Sequence, residues 1–152
     1  MAGILDAIST PRDIKAMSIE QLEGLAEEMR GRIIESVGRH GGHLASNLGV
    51  VELTIALHYC FDFDTDRLLF DVGHQCYPHK MLTGRARLFE TLRQAGGLSG
   101  FPSIDESVYD VFNVGHAGTA VATAVGMAKA ASVLGRRERI VALVGDASIV
   151  NG

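Results

Sequence analysis

Apolar residues return along this chain in two rhythms, and each predicts a different element. Leu22, Leu25, Ala26, Met29, Ile33 and Val37 recur at steps of three and four. That spacing lines one face of an amphipathic helix of about five turns. Ser18 and Gln21 form a capping box at its start, with Met17 and Leu22 at the staple positions. Gly38 is the expected C-cap, and Gly24 and Gly31 inside the helix each cost roughly 1 kcal/mol against Ala. Residues 1–17 read as a loosely attached lead in which Pro11 and Met17 dock. A polar, glycine-bearing loop runs from Arg39 to Gly49, where Ser46 or Asn47 can cap the next helix. Leu48, Val50, Val51, Leu53, Ile55, Ala56 and Leu57 make that helix, over about 48–59. It is apolar nearly all round and is expected to be largely buried.

The second rhythm is the short unbroken run. Residues 67–72 and 139–144 are too short for helices and read as strands buried on both faces, as in a parallel sheet. Each is succeeded by Gly and a polar residue: Gly73-His74 and Gly145-Asp146. Between them, Pro78 and Gly84 bound a short helix, Arg87 to Arg93 is another, 94–107 is loop, and Val108 to Val114 is a short strand. Gly115-His116-Ala117-Gly118 opens a long helix to about Leu134, closed by Gly135. Its many alanines let it press close to its neighbours. The order is α/β, a parallel sheet flanked by helices, in one domain over 18–152 without internal repeat or linker.

Composition narrows the class of function. The chain has 152 residues, 47% hydrophobic and 21% charged, with a net charge of −4. These are ordinary globular values, and they point away from nucleic acid and from an anionic membrane. No apolar run approaches the ~20 residues of a membrane span. The N-terminal residues lack the basic and apolar regions of a signal peptide, so a cytoplasmic protein is expected. Cys60 and Cys76 lack metal-type spacing and read as reduced thiols. The informative excess is glycine, 18 residues, clustered at Gly41-Gly42, Gly96-Gly97, Gly115, Gly118 and Gly145. Glycine lets backbone approach a ligand closely.

Three polar residues stand beside glycine at predicted element ends: His74 after the first strand, His116 before the long helix, and Asp146 after the second strand. In a parallel sheet such ends share one edge, where ligands bind. The N-terminus of the long helix offers unpaired N–H groups and about half a positive charge, which suits a phosphate. Asp146 suits a hard cation bridging to that phosphate, because magnesium takes one or two protein oxygens and completes its shell with water and phosphate. As a helix N-cap, Asp146 would be structural only. His43, directly after Gly41-Gly42, joins the candidates. His40, His58 and His79 read as surface or packed residues, with His79 in a solvated turn. There is no G-x-x-x-x-G-K-[ST] loop and no G-x-G-x-x-G fingerprint, nor a nucleophilic triad of recognisable spacing.

Longer stretches carry a resemblance. Gly42-His43-Leu44-Ala45-Ser46-Asn47-Leu48-Gly49, Asp71-Val72-Gly73-His74-Gln75, Tyr77-Pro78-His79-Lys80, Gly96-Gly97-Leu98-Ser99-Gly100-Phe101-Pro102 and Val114-Gly115-His116 stand in order. From about residue 18 onward the chain resembles the N-terminal part of the 1-deoxy-D-xylulose-5-phosphate synthases, thiamine-diphosphate enzymes related to transketolase. The resemblance implies an incomplete thiamine-diphosphate-binding fold and the cofactors thiamine diphosphate and Mg2+. It implies condensation of pyruvate with D-glyceraldehyde 3-phosphate, with release of carbon dioxide, in a homodimer when full length. By motif position His43 matches the histidine that handles protons near the reacting carbon. His74 and Gly115-His116-Ala117 match cofactor contacts, Asp146 the first magnesium ligand, and Ala147-Ser148 the adjoining cofactor-binding pair. Ala117 stands where the family usually has Ser, and Ala147 where it has Gly. Ala147 would be strained if that position needs positive φ. The family's second magnesium ligand, an Asn, and the Glu that activates the cofactor are expected beyond Gly152, so the chain alone is expected to be inactive. A split transketolase-like subunit and a non-catalytic interaction module on the same fold are the alternatives.

Overall fold

The structure, a computed structural model, describes residues 3–151. They form two compact units: the residues up to Asp62 with His74–Gly100, and Phe63–Gly73 with the residues from Phe101 onward.

The first unit is helical. Two 3₁₀ turns, Leu5–Ala7 and Pro11–Ile14, come first. They correct the expectation of a loose lead. Leu5, Ile8, Pro11 and Ile14 are buried, and the Glu28 carboxylate accepts the N–H groups of Ile4 and Leu5 at 3.0 and 2.8 Å. A 3₁₀ turn stacks i and i+3 on one side, which pairs Leu5 with Ile8 and Pro11 with Ile14. Helix α1 (Ile19–His40) starts at the predicted capping box: Ser18 Oγ accepts the Gln21 N–H, and Gln21 Oε1 accepts the Ser18 N–H. Its buried side carries Leu25, Ala26, Met29 and Ile33, as the spacing predicts. The helix does not stop at Gly38. It runs on to Gly41, whose φ of +74° turns the chain and whose N–H reaches Val37 C=O.

A single turn, α2 (Ala45–Leu48), leads to α3 (Val51–Cys60), which packs against α1. All-round burial of α3 is overturned: Val51, Thr54, Ile55 and His58 face inward, while Leu53 is 47% exposed. Helix α4 (Tyr77–Lys80) has Pro78 in its first turn and is buried at all four residues. It continues as a π-type turn over Met81–Arg85 with Gly84 at φ +84°, then as a 3₁₀ turn over Ala86–Thr91, where an α-helix at 87–93 was expected. His79 is therefore not in a solvated turn. Its Nδ1 lies 3.0 Å from His58 Nε2 in the core, where the two rings share one hydrogen bond.

The second unit contains β1 (Arg67–Phe70), α5 (Ala120–Val133) and β2 (Ile140–Leu143). The strands pair in parallel with Arg67 opposite Ile140 and Phe70 opposite Leu143, and α5 packs on both. Asp66, nearly buried, fixes the start of the register by accepting the Arg139 N–H and guanidinium, each at 2.9 Å. The expected double-sided burial holds for Leu68, Leu69 and Phe70 of β1 but not for β2, which is half-buried throughout. Only Ala120 and Ala131 of α5 are buried; Val121, Val125 and Val133 face solvent. No strand forms at 108–114. Asp110 and Asn113 instead capture the N–H groups of Ser103 and Ile104 at 2.8 and 2.9 Å, so side chains replace a neighbouring strand. A 3₁₀ turn, Asp146–Asn151, comes after β2. Among the described residues no helix is long and apolar enough to cross a membrane.

Candidate functional site

His43 is placed by the glycines before it. Gly42 has φ +145°, and a Cβ there would lie 2.7 Å from Tyr77 Oη. Only glycine lets the chain pass that ring. The His43 N–H then donates to Tyr77 Oη at 3.4 Å. Asn47 does not cap a helix. Fully buried, its Nδ2 donates to the carbonyls of His43 (2.6 Å) and His74 (2.8 Å), and its Oδ1 accepts the Tyr77 N–H at 2.9 Å. One amide thereby ties the loop before α2 to the segment before α4.

The result is a pair of imidazoles. The rings of His43 and His74 lie 5.5 Å apart, edge to face. His74 Nδ1 is buried and has no hydrogen-bond partner among the described residues, an uncommon state for a buried polar atom and one that calls for an explanation. Burial lowers the His43 pKa, and the charges of His74 and Arg93 lower it further, so the ring is neutral at neutral pH. Neutral imidazole has one donor and one acceptor nitrogen.

The corner ahead of His74 is strained. Val72, β-branched, sits at φ +60°, and the Gly73 N–H closes a three-residue turn onto Asp71 C=O at 2.6 Å. Positive φ at a β-branched residue is an outlier and costs on the order of 1–3 kcal/mol. Gly73, at φ +87°, could not carry a side chain: a Cβ would lie 2.5 Å from Pro102 Cδ and 2.6 Å from Val114 Cγ2.

In the second unit Asp71 is the centre. Its side chain is 1% exposed. Oδ1 accepts the Gly118 N–H and Oδ2 the Ala120 N–H, both at 2.9 Å, while its own N–H donates to Leu143 C=O at 2.9 Å. Burial would raise the Asp71 pKa, but the Ala120 and Gly118 amides, the Ser148 hydroxyl and the Thr119 amide outweigh it and keep the carboxylate ionised below the usual range. This corrects the expectation of an open anion site at the start of α5: a protein carboxylate already occupies its first N–H groups. His116 and Ala117 are exposed in the preceding loop. Gly115 and His116 line a cleft of about 500 Å³ floored by Leu68 and Phe70. Asp146 and Ala147 are exposed and Ser148 is half-buried. Ala147 lacks positive φ, so alanine there is unstrained. Among the described residues no group of three or more His, Cys, Asp or Glu could hold a metal ion.

The structure thus brings His43 and His74 together, and it joins the start of α5 and the turn carrying Ser148 on Asp71. Asn47, Tyr77 and Asp71 escaped the sequence reading. Asp71 had a signal, since a carboxylate ending a buried apolar run must find donors. Asn47 had none, because its partners are backbone groups, two of them on residues 27 and 30 positions away.

The sequence profile described as 1-deoxy-D-xylulose-5-phosphate synthase matches residues 5–152. The chain is 57% identical over all 152 residues to a 1-deoxy-D-xylulose-5-phosphate synthase of Acidobacterium capsulatum, covering 24% of that protein. It is 53% identical over 152 residues to 1-deoxy-D-xylulose-5-phosphate synthase 1 of Geobacter sulfurreducens, again 24% of its length. It is 53% identical over 149 residues, 98% of this chain, to the synthase of Neisseria meningitidis serogroup C, 23% of its length. The chain therefore spans about a quarter of the curated relatives it matches. With a match running through the His43–His74 pair, the Asp71 corner and the turn after β2, this chain belongs to the 1-deoxy-D-xylulose-5-phosphate synthase family.

Proposed function

We propose that this chain contributes part of a thiamine-diphosphate site to an enzyme that condenses pyruvate with D-glyceraldehyde 3-phosphate, releasing carbon dioxide and forming 1-deoxy-D-xylulose 5-phosphate. The observation that carries this reading is the His43–His74 pair, whose buried His74 Nδ1 lacks a protein partner among the described residues. A polar atom left so in a core suits a bound group that supplies the missing hydrogen bond. Thiamine diphosphate supplies, when bound, an acidic thiazolium carbon and an electron sink for decarboxylation. His74 would hold that group. His43, kept neutral by burial and by nearby positive charge, accepts or returns a proton beside it. Gly115, His116, Ala117, Ala147 and Ser148 would hold the rest of the group. Asp146 would supply one carboxylate oxygen to Mg2+. Magnesium takes one or two protein oxygens beside water and phosphate; Asp146 would be one of them, and without the second, the expected Asn, the ion should bind weakly, while the missing Ser hydroxyl at Ala117 leaves the backbone N–H groups of that loop as donors. The complete enzyme would act as a homodimer in the cytoplasm.

Calorimetry with thiamine diphosphate and Mg2+ tests the reading. The 152-residue chain should bind weakly, and His74→Ala should weaken binding at least tenfold; equal affinity of the two proteins would overturn the assignment of His74. The chain alone should not turn over. Thiamine-diphosphate-dependent release of carbon dioxide from pyruvate by the purified chain would show that the 152 residues suffice for decarboxylation.

A further inference from the structure

Asp71 lies outside the residues assigned to the cofactor, yet it touches both segments of the second unit that carry them. Its carboxylate takes the N–H groups of Gly118 and Ala120, directly after Gly115-His116-Ala117. The Ser148 hydroxyl, two residues after Asp146, reaches the same carboxylate. The Asp71 N–H holds Leu143 C=O, three residues before Asp146. The side chain is almost wholly removed from solvent, so these bonds are not exchanged for water at low cost. On the other side of the residue the backbone bends sharply at Val72, a strain that persists only where surrounding contacts over-determine it.

We infer that Asp71 is a positioning residue that fixes the loop carrying His116 and the turn carrying Asp146 and Ser148 to each other as one rim. The inference rests on the proposed cofactor reading for its consequence, the joint presentation of these segments to a magnesium-bound diphosphate. The coupling itself does not depend on that reading. Asp71 acts through other residues, the ones its carboxylate and N–H hold.

Amide hydrogen exchange on the 152-residue chain tests the coupling. In Asp71→Ala, the Gly118, Ala120 and Ser148 amides should exchange at least tenfold faster, while Leu69 and Ala142 in the paired strands keep their rates. Loosening at only one of the two segments, or at neither, overturns the inference. Should Asp71→Ala fail to fold, two milder variants decide. Asp71→Asn keeps one acceptor oxygen and should restore protection at one of Gly118 and Ala120. Ser148→Ala should free the turn at 146–148 while Ala120 stays protected; Ser148→Ala loosening nothing overturns the shared latch. Calorimetry with thiamine diphosphate and Mg2+ then separates the two levels. Wild-type binding that Asp71→Ala weakens about tenfold supports positioning, and binding unchanged within twofold overturns it. Joint loosening in a chain that binds no cofactor at all overturns the cofactor reading and leaves the coupling standing.

Discussion

Asn47 shows how much one buried side chain can decide. Its amide is matched on both sides, donating to two carbonyls and accepting one N–H, none closer than four residues in sequence. Asn47→Ala would leave these backbone groups buried without partners, at about 2–3 kcal/mol. A fall of that size in unfolding free energy, read from urea midpoints, is the expected result, together with a shifted His43 imidazole resonance. Asn47→Asp should be no rescue, because a carboxylate would face two carbonyl oxygens. A variant as stable as the parent would mean that the amide does not hold the two histidines together. The histidines were visible in the sequence as residues beside glycine. The amide that pairs them was not, since its partners are joined by folding and carry no local pattern.

Among the elements, α1 gives the sharpest check on how far local pattern reaches. Its start was legible because a capping box is a local motif, and its buried side because periodicity reports burial directly. Its end was not. Gly38 and Gly41 are both glycines after the last periodic residue, and only φ separates them: Gly41 is at +74°, whereas Gly38 is helical with open space beside it. Gly38→Ala should therefore stabilise the chain by about 0.5–1 kcal/mol, and Gly41→Ala should destabilise it; thermal melts of the pair would show opposite signs. Ser18→Ala should cost about 1 kcal/mol through loss of the cap. The strands were found from their apolar runs, yet burial of β2 was overstated. A four-residue run reports only that some face is covered, not how many. The supposed strand at 108–114 failed for another reason: its Asp110 and Asn113 side chains accept the N–H groups of Ser103 and Ile104 earlier in the same loop.

At the scale of the whole molecule, titration of the buried core sets the acid limit. His58 is fully buried, and burial first, then the charges of His79 and Lys15, push its pKa well below the ordinary value. Below about pH 6.5 the unfolded chain takes up a proton there that the folded chain refuses. Stability is therefore complete above that pH and falls as pH drops, by up to about 1.4 kcal/mol per pH unit. Asp71 adds a second loss once pH falls through the usual carboxylate range of about 4, because its lowered pKa means the unfolded chain protonates first. Urea midpoints should be flat from pH 8 to 7 and decline from 6.5 to 5. Replacing both rings, His58→Leu with His79→Leu, should flatten that decline; an unchanged slope would place the acid sensitivity elsewhere.

Lys80 has no exposed surface, whereas Lys15 and Lys129, the other two lysines of the chain, reach solvent. An amine-reactive reagent should thus mark two side chains quickly and spare the third until its surroundings open. The mass of the labelled protein then becomes a clock: each late, single addition at Lys80 records one molecule whose interior has come apart, without any spectroscopic probe.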